Sequence, residues 1–357
     1  MSEYYNHYGT KTVLIFGADG ILGRELVDTF KRDHGDYPHW YVRTFYDDIT
    51  NYQKVDKAIE YYVSDAGTWK SFPPDVVINC AEMADADECE KNPEKAYAVN
   101  AVLPKNIAAS CIAHNVPLFI HVSTDQIFAN GAAKDIIPSI ADTCKDTSPV
   151  NQYGLSKLAG ETSIMNEYYT SANIGLTGCE YKIIRTSRLY GKYQYNFVDY
   201  VCDLCLGKIT TSIQPKFLNG NISVPTSAKA LADELWNIAN GYYHDYYDGW
   251  DKKNVFHCVN PFKSANEIPT QYGYAELIFK CLEKAGMKPN HYFEKISCEN
   301  WNKQAKEEKN AIMPYCSVLE PSSPSMFEYS RTEDGLHFVP NRWNESLEYY
   351  IKEKIKK

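Results

Sequence analysis

The stretch Thr12-Val13-Leu14-Ile15-Phe16-Gly17-Ala18-Asp19-Gly20-Ile21-Leu22-Gly23 decides the fold of this chain. Its first five residues form an apolar run of the length of a buried strand. The run passes directly into glycines and then into a helical pattern that continues through Phe30. Strand, glycine turn and helix in that order make a dinucleotide-binding unit. Gly17 permits the tight turn, Gly20 lets the backbone approach a pyrophosphate, and Gly23 lets the helix pack close to the strand. Asp19, Ile21 and Leu22 complete the turn, whose free N–H groups and positive helix end face the phosphates. The expected fold class is α/β, a Rossmann-type doubly wound parallel sheet.

Trp40 to Phe45 reads as the second strand. About 20 residues beyond the glycines, NAD-preferring folds place an acid on the ribose hydroxyls. Here Arg43 takes that place, and a guanidinium favours a 2′-phosphate, so NADPH is the expected cofactor with NADH as the second choice. Asp48 and Ile49 fall where a short third strand meets the adenine, and Thr50 or Asn51 caps the next helix. Asp75 to Ala81 is a buried strand whose small last residues, Cys80 and Ala81, suit a strand passing beneath a cofactor. The acidic segment from Asp85 to Glu94 reads as a solvated loop. Pro93 then starts a helix to His114 that carries Asn100 to the cofactor strand. Leu118 to Asp125 is a strand ending in Thr124 and Asp125, at the carboxyl end where such sheets bind ligands. Thr124 suits a hydrogen bond to a substrate carbonyl, and Asp125 a contact with a sugar.

Thr147 to Glu161 carries the chemistry. With residues after Pro149 helical, Tyr153 and Lys157 stand one turn apart on one face. A phenol titrates near pH 10, and a fixed ammonium beside it favours the phenolate. Tyr153 is thereby expected as the proton donor to a carbonyl that receives hydride, and Lys157 as the residue that tunes it and holds a cofactor hydroxyl. Tyr350 and Lys354 share the spacing, but no strand or glycine turn precedes them, and they read as a coincidence. Cys202 and Cys205 form the one CxxC, in a helical pattern without further ligands, so no metal or redox role is expected.

The chain has 357 residues, 44% hydrophobic and 23% charged, with a net charge of -9. That balance excludes a nucleic-acid backbone or an anionic membrane as the main partner. The first residues lack a signal-peptide pattern and no apolar run approaches a membrane span, which points to the cytoplasm. Eleven cysteines, several in apolar stretches, fit reduced core thiols.

Together these pieces resemble the dTDP-4-dehydrorhamnose reductase family of extended short-chain reductases, which uses this GxxGxxG spacing. The matching segments are Gly17 to Gly23, Val77 to Ala81, Val99-Asn100-Ala101, His121 to Asp125, Tyr153 to Glu161, Arg185-Thr186-Ser187, Leu189-Tyr190-Gly191, Asn196-Phe197 and Val224-Pro225-Thr226, in family order. The resemblance implies reduction of the C4 keto group of a nucleotide-linked 4-keto-6-deoxyhexose, with Thr124, Asp125, Tyr153 and Lys157 catalytic and Asn196 and Phe197 toward the sugar nucleotide. Gln126 stands where the family has Tyr, and Arg188 where it has Trp, so both are expected to set which sugar is taken. The family's late Arg-Pro segment survives only as Met313 to Leu319, and Glu25 matches one magnesium ligand of some bacterial dimers without placeable companions, so no metal is expected. The implied organisation is a nucleotide domain of residues 1–185, to which 227–260 return, and a substrate lobe of 186–226 and 261–357, with a homodimer as a possible assembly. Two other readings stay open: a non-catalytic subunit resembling the methionine adenosyltransferase beta subunit, and an epimerase/reductase resembling GDP-fucose synthase, which needs a Cys and His pair that His257 and the scattered cysteines do not supply. The Tyr-rich run from Gly241 to Trp250 reads as a surface loop.

Overall fold

The apolar run that opens the chain is strand β1 (Thr10–Phe16) of a computed structural model that describes residues 10–32, 39–65, 68–128, 147–176, 178–241, 253–322, 330–332, 335–337 and 342–356. It joins β2 (His39–Phe45), β3 (Val76–Asn79), β4 (Leu118–Thr124), β5 (Glu180–Thr186) and β6 (Val255–His257) in one sheet of order β6-β5-β4-β3-β1-β2, every pairing parallel. β3 is buried along its whole length because helices cover both faces of the sheet. The period of two along β1 sorts its side chains: Val13 and Ile15 enter one core layer, Leu14 and Phe16 the other. The first layer is closed by α1 (Ile21–Lys31), with Leu22 and Leu26, and the second by α2 (Leu103–Ala113) and α3 (Gln152–Asn173), with Ile107 and Ile164. Chain order reverses between β1 and β3, which opens a crevice above their carboxyl ends.

Three local expectations change. No strand forms at Asp48 and Ile49: the Asp48 carboxylate accepts from the Thr50 amide at 2.9 Å and hydroxyl at 2.6 Å, and Asn51 caps the helix Tyr52–Glu60 by accepting from Lys54 N. Side-chain bonds satisfy the backbone there in place of a ladder. The acidic segment after residue 85 is not a loop but contains the helix Ala86–Lys91, because Asp85 caps it and Asp87 and Glu88 suit the positive end of its first turn. The helix from Pro93 is interrupted by a π segment, Ala98–Val102, around Asn100. Gly160 of α3 presses against it, where a Cβ would come within 2.2 Å of the Asn100 carbonyl oxygen.

After β5 the chain builds a second apolar cluster from α4 (Phe197–Cys205), then returns to the sheet with α5 (Ala228–Ala239), whose Leu231 and Leu235 cover the face of α1. α6 (Gln271–Lys284) and α7 (Trp343–Ile355) complete the second cluster with Tyr274, Ile278, Leu347 and Ile351. Tyr350 and Lys354 have work there: both donate to Asp199 Oδ1, at 2.9 and 2.6 Å, and fasten α7 to the start of α4. Burial pushes the Cys202 and Cys205 thiols up to about 12 and about 11, which leaves them inert, and the described cysteines are free thiols. The Tyr-rich run beyond Gly241 lies outside the described residues. No helix among the described residues is long and apolar enough to cross a membrane.

Candidate active site

The crevice is a cleft of about 1180 Å³. Its floor is the glycine turn. Gly17 has φ +79°, and a Cβ on it would lie 2.5 Å from Ala81 N; one on Gly23 would lie 2.1 Å from the Gly17 oxygen. A Cβ on Gly20 would meet only ordinary contact at 3.4 Å, so the fold tolerates more there than a closely approaching ligand would. Asp19, Ile21 and Leu22 line the cleft beside it, and the N-cap residue of α1, Gly20, has no side chain to cap the helix. Ile21 N donates to Gln194 Oε1 at 3.2 Å. That turn fits a pyrophosphate: bare backbone, no Cβ, and the positive end of a helix.

At the far end of β2 the lining residues are Phe45, Tyr46, Asp47, Asp48 and Ile49. Arg43 is not among them. Its guanidinium lies 4.1 Å from the centre of the Tyr61 ring and donates to the Ala58 carbonyl. The negative end of the helix Tyr52–Glu60 and an aromatic face hold it two residues short of the strand end, outside the lining of the cleft. Cys80 and Ala81 line the wall of the cleft; Cys80 donates its thiol to the Phe16 carbonyl at 3.0 Å, and burial pushes it up to about 12. Asn100 lies behind the wall rather than on it. It accepts from Met83 N at 2.8 Å and donates to Met83 O and Ser156 Oγ at 3.1 and 3.0 Å, which holds the loop after β3.

Tyr153 enters from the first turn of α3, which Asn151 caps by accepting from Gly154 N at 2.8 Å. Lys157 follows one turn later and is sealed below, 1% exposed. The pair does not interact as the spacing suggests. Lys157 Nζ donates to the Val122 carbonyl at 2.8 Å and meets Glu82 Oε2 at 3.2 Å, while the Tyr153 hydroxyl donates to that same carboxylate oxygen at 2.9 Å. The phenol is therefore held well above its ordinary value, first by burial and then by the Glu82 charge, with a hydrogen bond from Thr124 pulling the other way. The lowering expected from Lys157 does not appear, because the phenol is buried and a carboxylate stands at its oxygen. Glu82 was not legible as a site residue; its one signal was a charge directly after the small Cys80-Ala81 pair.

Thr124 and Asp125 close the end of β4. Thr124 Oγ1 donates to Asp125 Oδ1 at 3.2 Å, and Ser317 Oγ donates to Asp125 Oδ2 at 2.7 Å, which brings the Met313 to Leu319 segment onto the site. The Gln126 side chain accepts from Asn151 Nδ2 at 3.0 Å. Arg188, at φ +34°, lines the cleft and donates to Asn221 O and Oδ1, both at 2.7 Å. Asn196 caps α4 and donates to the Gly191 carbonyl at 3.0 Å, and Phe197 stacks on Tyr274 at 5.6 Å, which ties the cleft edge they form to the second apolar cluster. His257 is buried 3.5 Å from Arg185 and does not line the cleft.

Burial pushes the Asp125 carboxyl up to about 6, against the lowering by Ser317, Arg188 and Thr124. An unfolded aspartate titrates near 3.9, so the folded state binds the extra proton between these values. The stabilisation from the protonated form is complete below pH ~4 and lost as the pH rises through about 6. Asp125→Asn should remove that slope and be more stable than the parent at pH 7 by about 1–3 kcal/mol, with no gain at pH 4, as read by urea unfolding. Equal gains at both pH values would refute the linkage.

The chain is similar to several known proteins. Two curated relatives are matched over 47% and 41% of their own length. The second is the dTDP-4-dehydrorhamnose reductase of Mycolicibacterium smegmatis, 38% identical over 154 residues, or 43% of this chain. The crystal structure of a dTDP-4-dehydrorhamnose reductase from Clostridium acetobutylicum superposes with a TM-score of 0.65 at 26% identity, covering 97% of this chain and 100% of that one. The Bacillus anthracis enzyme in complex with NADP superposes with a TM-score of 0.67 at 24% identity, covering 96% and 99%. The family model for the RmlD substrate binding domain matches residues 11–355, and the chain belongs to that family.

Proposed function

We propose that this protein is a nicotinamide-dependent reductase of the C4 keto group of a nucleotide-linked 4-keto-6-deoxyhexose, acting in deoxysugar biosynthesis in the cytoplasm. The observation that carries the reading is the placement of Tyr153 and Thr124 in the cleft at the carboxyl ends of β3 and β4, with Lys157 buried one helical turn behind Tyr153, beside a glycine turn bare enough for a pyrophosphate. When bound, the dinucleotide supplies the hydride. Tyr153 gives its phenolic proton to the C4 oxygen, Thr124 orients that oxygen, and Lys157 holds the ribose hydroxyls. Asp125, Gln126, Arg188, Asn196 and Phe197 line the same cleft and are the residues that would face the sugar nucleotide. In this reading residues 1–185 with 227–260 form the nucleotide domain, and 186–226 with 261–357 the substrate lobe.

With Arg43 engaged by Ala58 and Tyr61, no guanidinium from β2 selects the 2′-phosphate, and Lys54 is paired with Asp47 at 2.6 Å. NADPH and NADH should both serve. The test follows oxidation of each by purified protein with dTDP-, UDP- and GDP-linked 4-keto-6-deoxyhexoses, wild type beside Arg43→Ala. Turnover of one sugar supports the reading, and the NADPH to NADH ratio of kcat/KM should change by less than about 3-fold in the variant, since removal of a direct phosphate contact would cost about 1.5–3 kcal/mol. Tight dinucleotide binding without reduction of any of the three sugars would sink the reductase assignment.

A further inference from the structure

Glu82 lies just beyond β3, and the chemistry described so far leaves it without a task. Its side chain is 32% exposed, whereas Tyr153 is 6% and Lys157 1% exposed. One oxygen, Oε2, touches both of the sealed groups, at 2.9 Å from the phenol and 3.2 Å from the ammonium. The carboxylate thus reaches from the buried acid to the open cleft.

Each reduction takes one proton from Tyr153 and leaves a phenolate in a sealed position. That phenolate must be reprotonated before the next turnover. Lys157 bonds the Val122 carbonyl and Glu82 from below, and of the groups at the phenol oxygen Glu82 is far more exposed to solvent than Thr124, at 32% against 6%. We infer that Glu82 is the proton-entry residue of this site: it keeps Tyr153 in its phenol form and returns a proton from solvent to the phenolate after each transfer. The inference rests on the reductase reading. In the step, the phenol O–H bond breaks as the product O–H forms. The carboxylate then takes a proton from hydronium or a buffer acid in the solvent, passes it to the phenolate and is restored, so that one solvent proton is consumed per hydride delivered by the dinucleotide.

The electrostatics agree with the geometry. The charged and titratable groups around the pair are Lys157 from α3, His121 and Asp125 from β4 and its end, Cys80 and Asp19 beside the glycine turn, and Cys89, Glu88 and Glu90 of the helix Ala86–Lys91 with its cap Asp85. Lys157 is the one ammonium among these, and Glu82 Oε2 touches both it and the phenol oxygen.

The experiment compares wild type, Glu82→Gln and Glu82→Asp in two measurements. The first is the pH dependence of kcat for ketosugar reduction. Glu82→Gln should lower kcat by about 10-fold or more, and move its alkaline limb to lower pH by about 1 unit or more, because a carboxylate no longer opposes ionisation of the acid. Glu82→Asp should recover part of both, and the KM for dinucleotide should stay within about 2-fold, since a ground-state binding role is not what is lost. The second is carbon-13 NMR of protein labelled at tyrosine Cζ, with the Tyr153 signal assigned by its loss in Tyr153→Phe. Tyr153 should ionise at lower pH in Glu82→Gln than in wild type. An unmoved Tyr153 titration, or an unmoved alkaline limb with kcat intact, would overturn the inference. A shifted titration in a protein that reduces none of the ketosugars would instead sink the reductase reading and leave the hold of Glu82 on the phenol standing.

Discussion

Tyr153→Phe is expected to lower kcat for ketosugar reduction by about 10²–10⁴-fold while dinucleotide affinity stays near that of the parent. Phenylalanine keeps the ring packed against Cys89 and Ala96, so the first turn of α3 and its Asn151 cap should persist. What disappears is one O–H. Without it the developing alkoxide must take its proton from water in a buried corner, and Glu82 keeps only its contact with Lys157. The check is stopped-flow oxidation of the dinucleotide at saturating ketosugar, beside a fluorescence titration of dinucleotide alone. A variant that retains more than about a tenth of the parent kcat would remove Tyr153 from the role of acid, because general acids contribute at least that much.

The second large effect concerns stability. Glu161 lies two turns beyond Tyr153 on α3 and meets Arg185 of β5 through three short contacts, at 3.0, 3.2 and 2.7 Å, with both side chains 0% exposed. Two opposite charges in so dry a place are tolerable only together. Glu161→Ala would leave a guanidinium without its carboxylate and is expected to cost about 3–5 kcal/mol. Against a whole-domain stability of about 5–15 kcal/mol that loss is decisive, and it should appear as a large fall in the urea midpoint with an unchanged slope. The pair Glu161→Met with Arg185→Met should regain most of it, since neither charge then remains buried. If the double variant is as unstable as Glu161→Ala, the pair does more than cancel charge. The contact also fixes the helix that carries Tyr153 and Lys157 against the strand next to β4, so kcat should fall along with stability in the single variant.

Much of this architecture could be read in the residues. The glycine turn, the apolar runs at Val76 to Asn79 and Leu118 to Thr124, and the single helix face shared by Tyr153 and Lys157 follow from short-range rules of period, turn chemistry and burial. Those rules act among residues a few positions apart, so they survive without knowledge of the fold. They fixed the fold class and the family. They also missed locally where a side chain had two good options: Asp48 bonded its own turn instead of extending a strand, and Asp85 started a helix inside a segment that composition alone would leave as a loop.

The settings of the site are of another kind. Glu82 meets Tyr153 across 71 residues and Ser317 meets Asp125 across 192, and no periodicity connects them. Arg43 sits at a plausible distance from the glycines, yet the helix after β2 claims it through Ala58 and Tyr61. Local pattern in the chain specifies which groups are present and on which elements they ride. Which charge stands at the phenol, and that the Arg43 guanidinium lies outside the cleft, come from strand order, burial and competing partners that the folded sheet brings together.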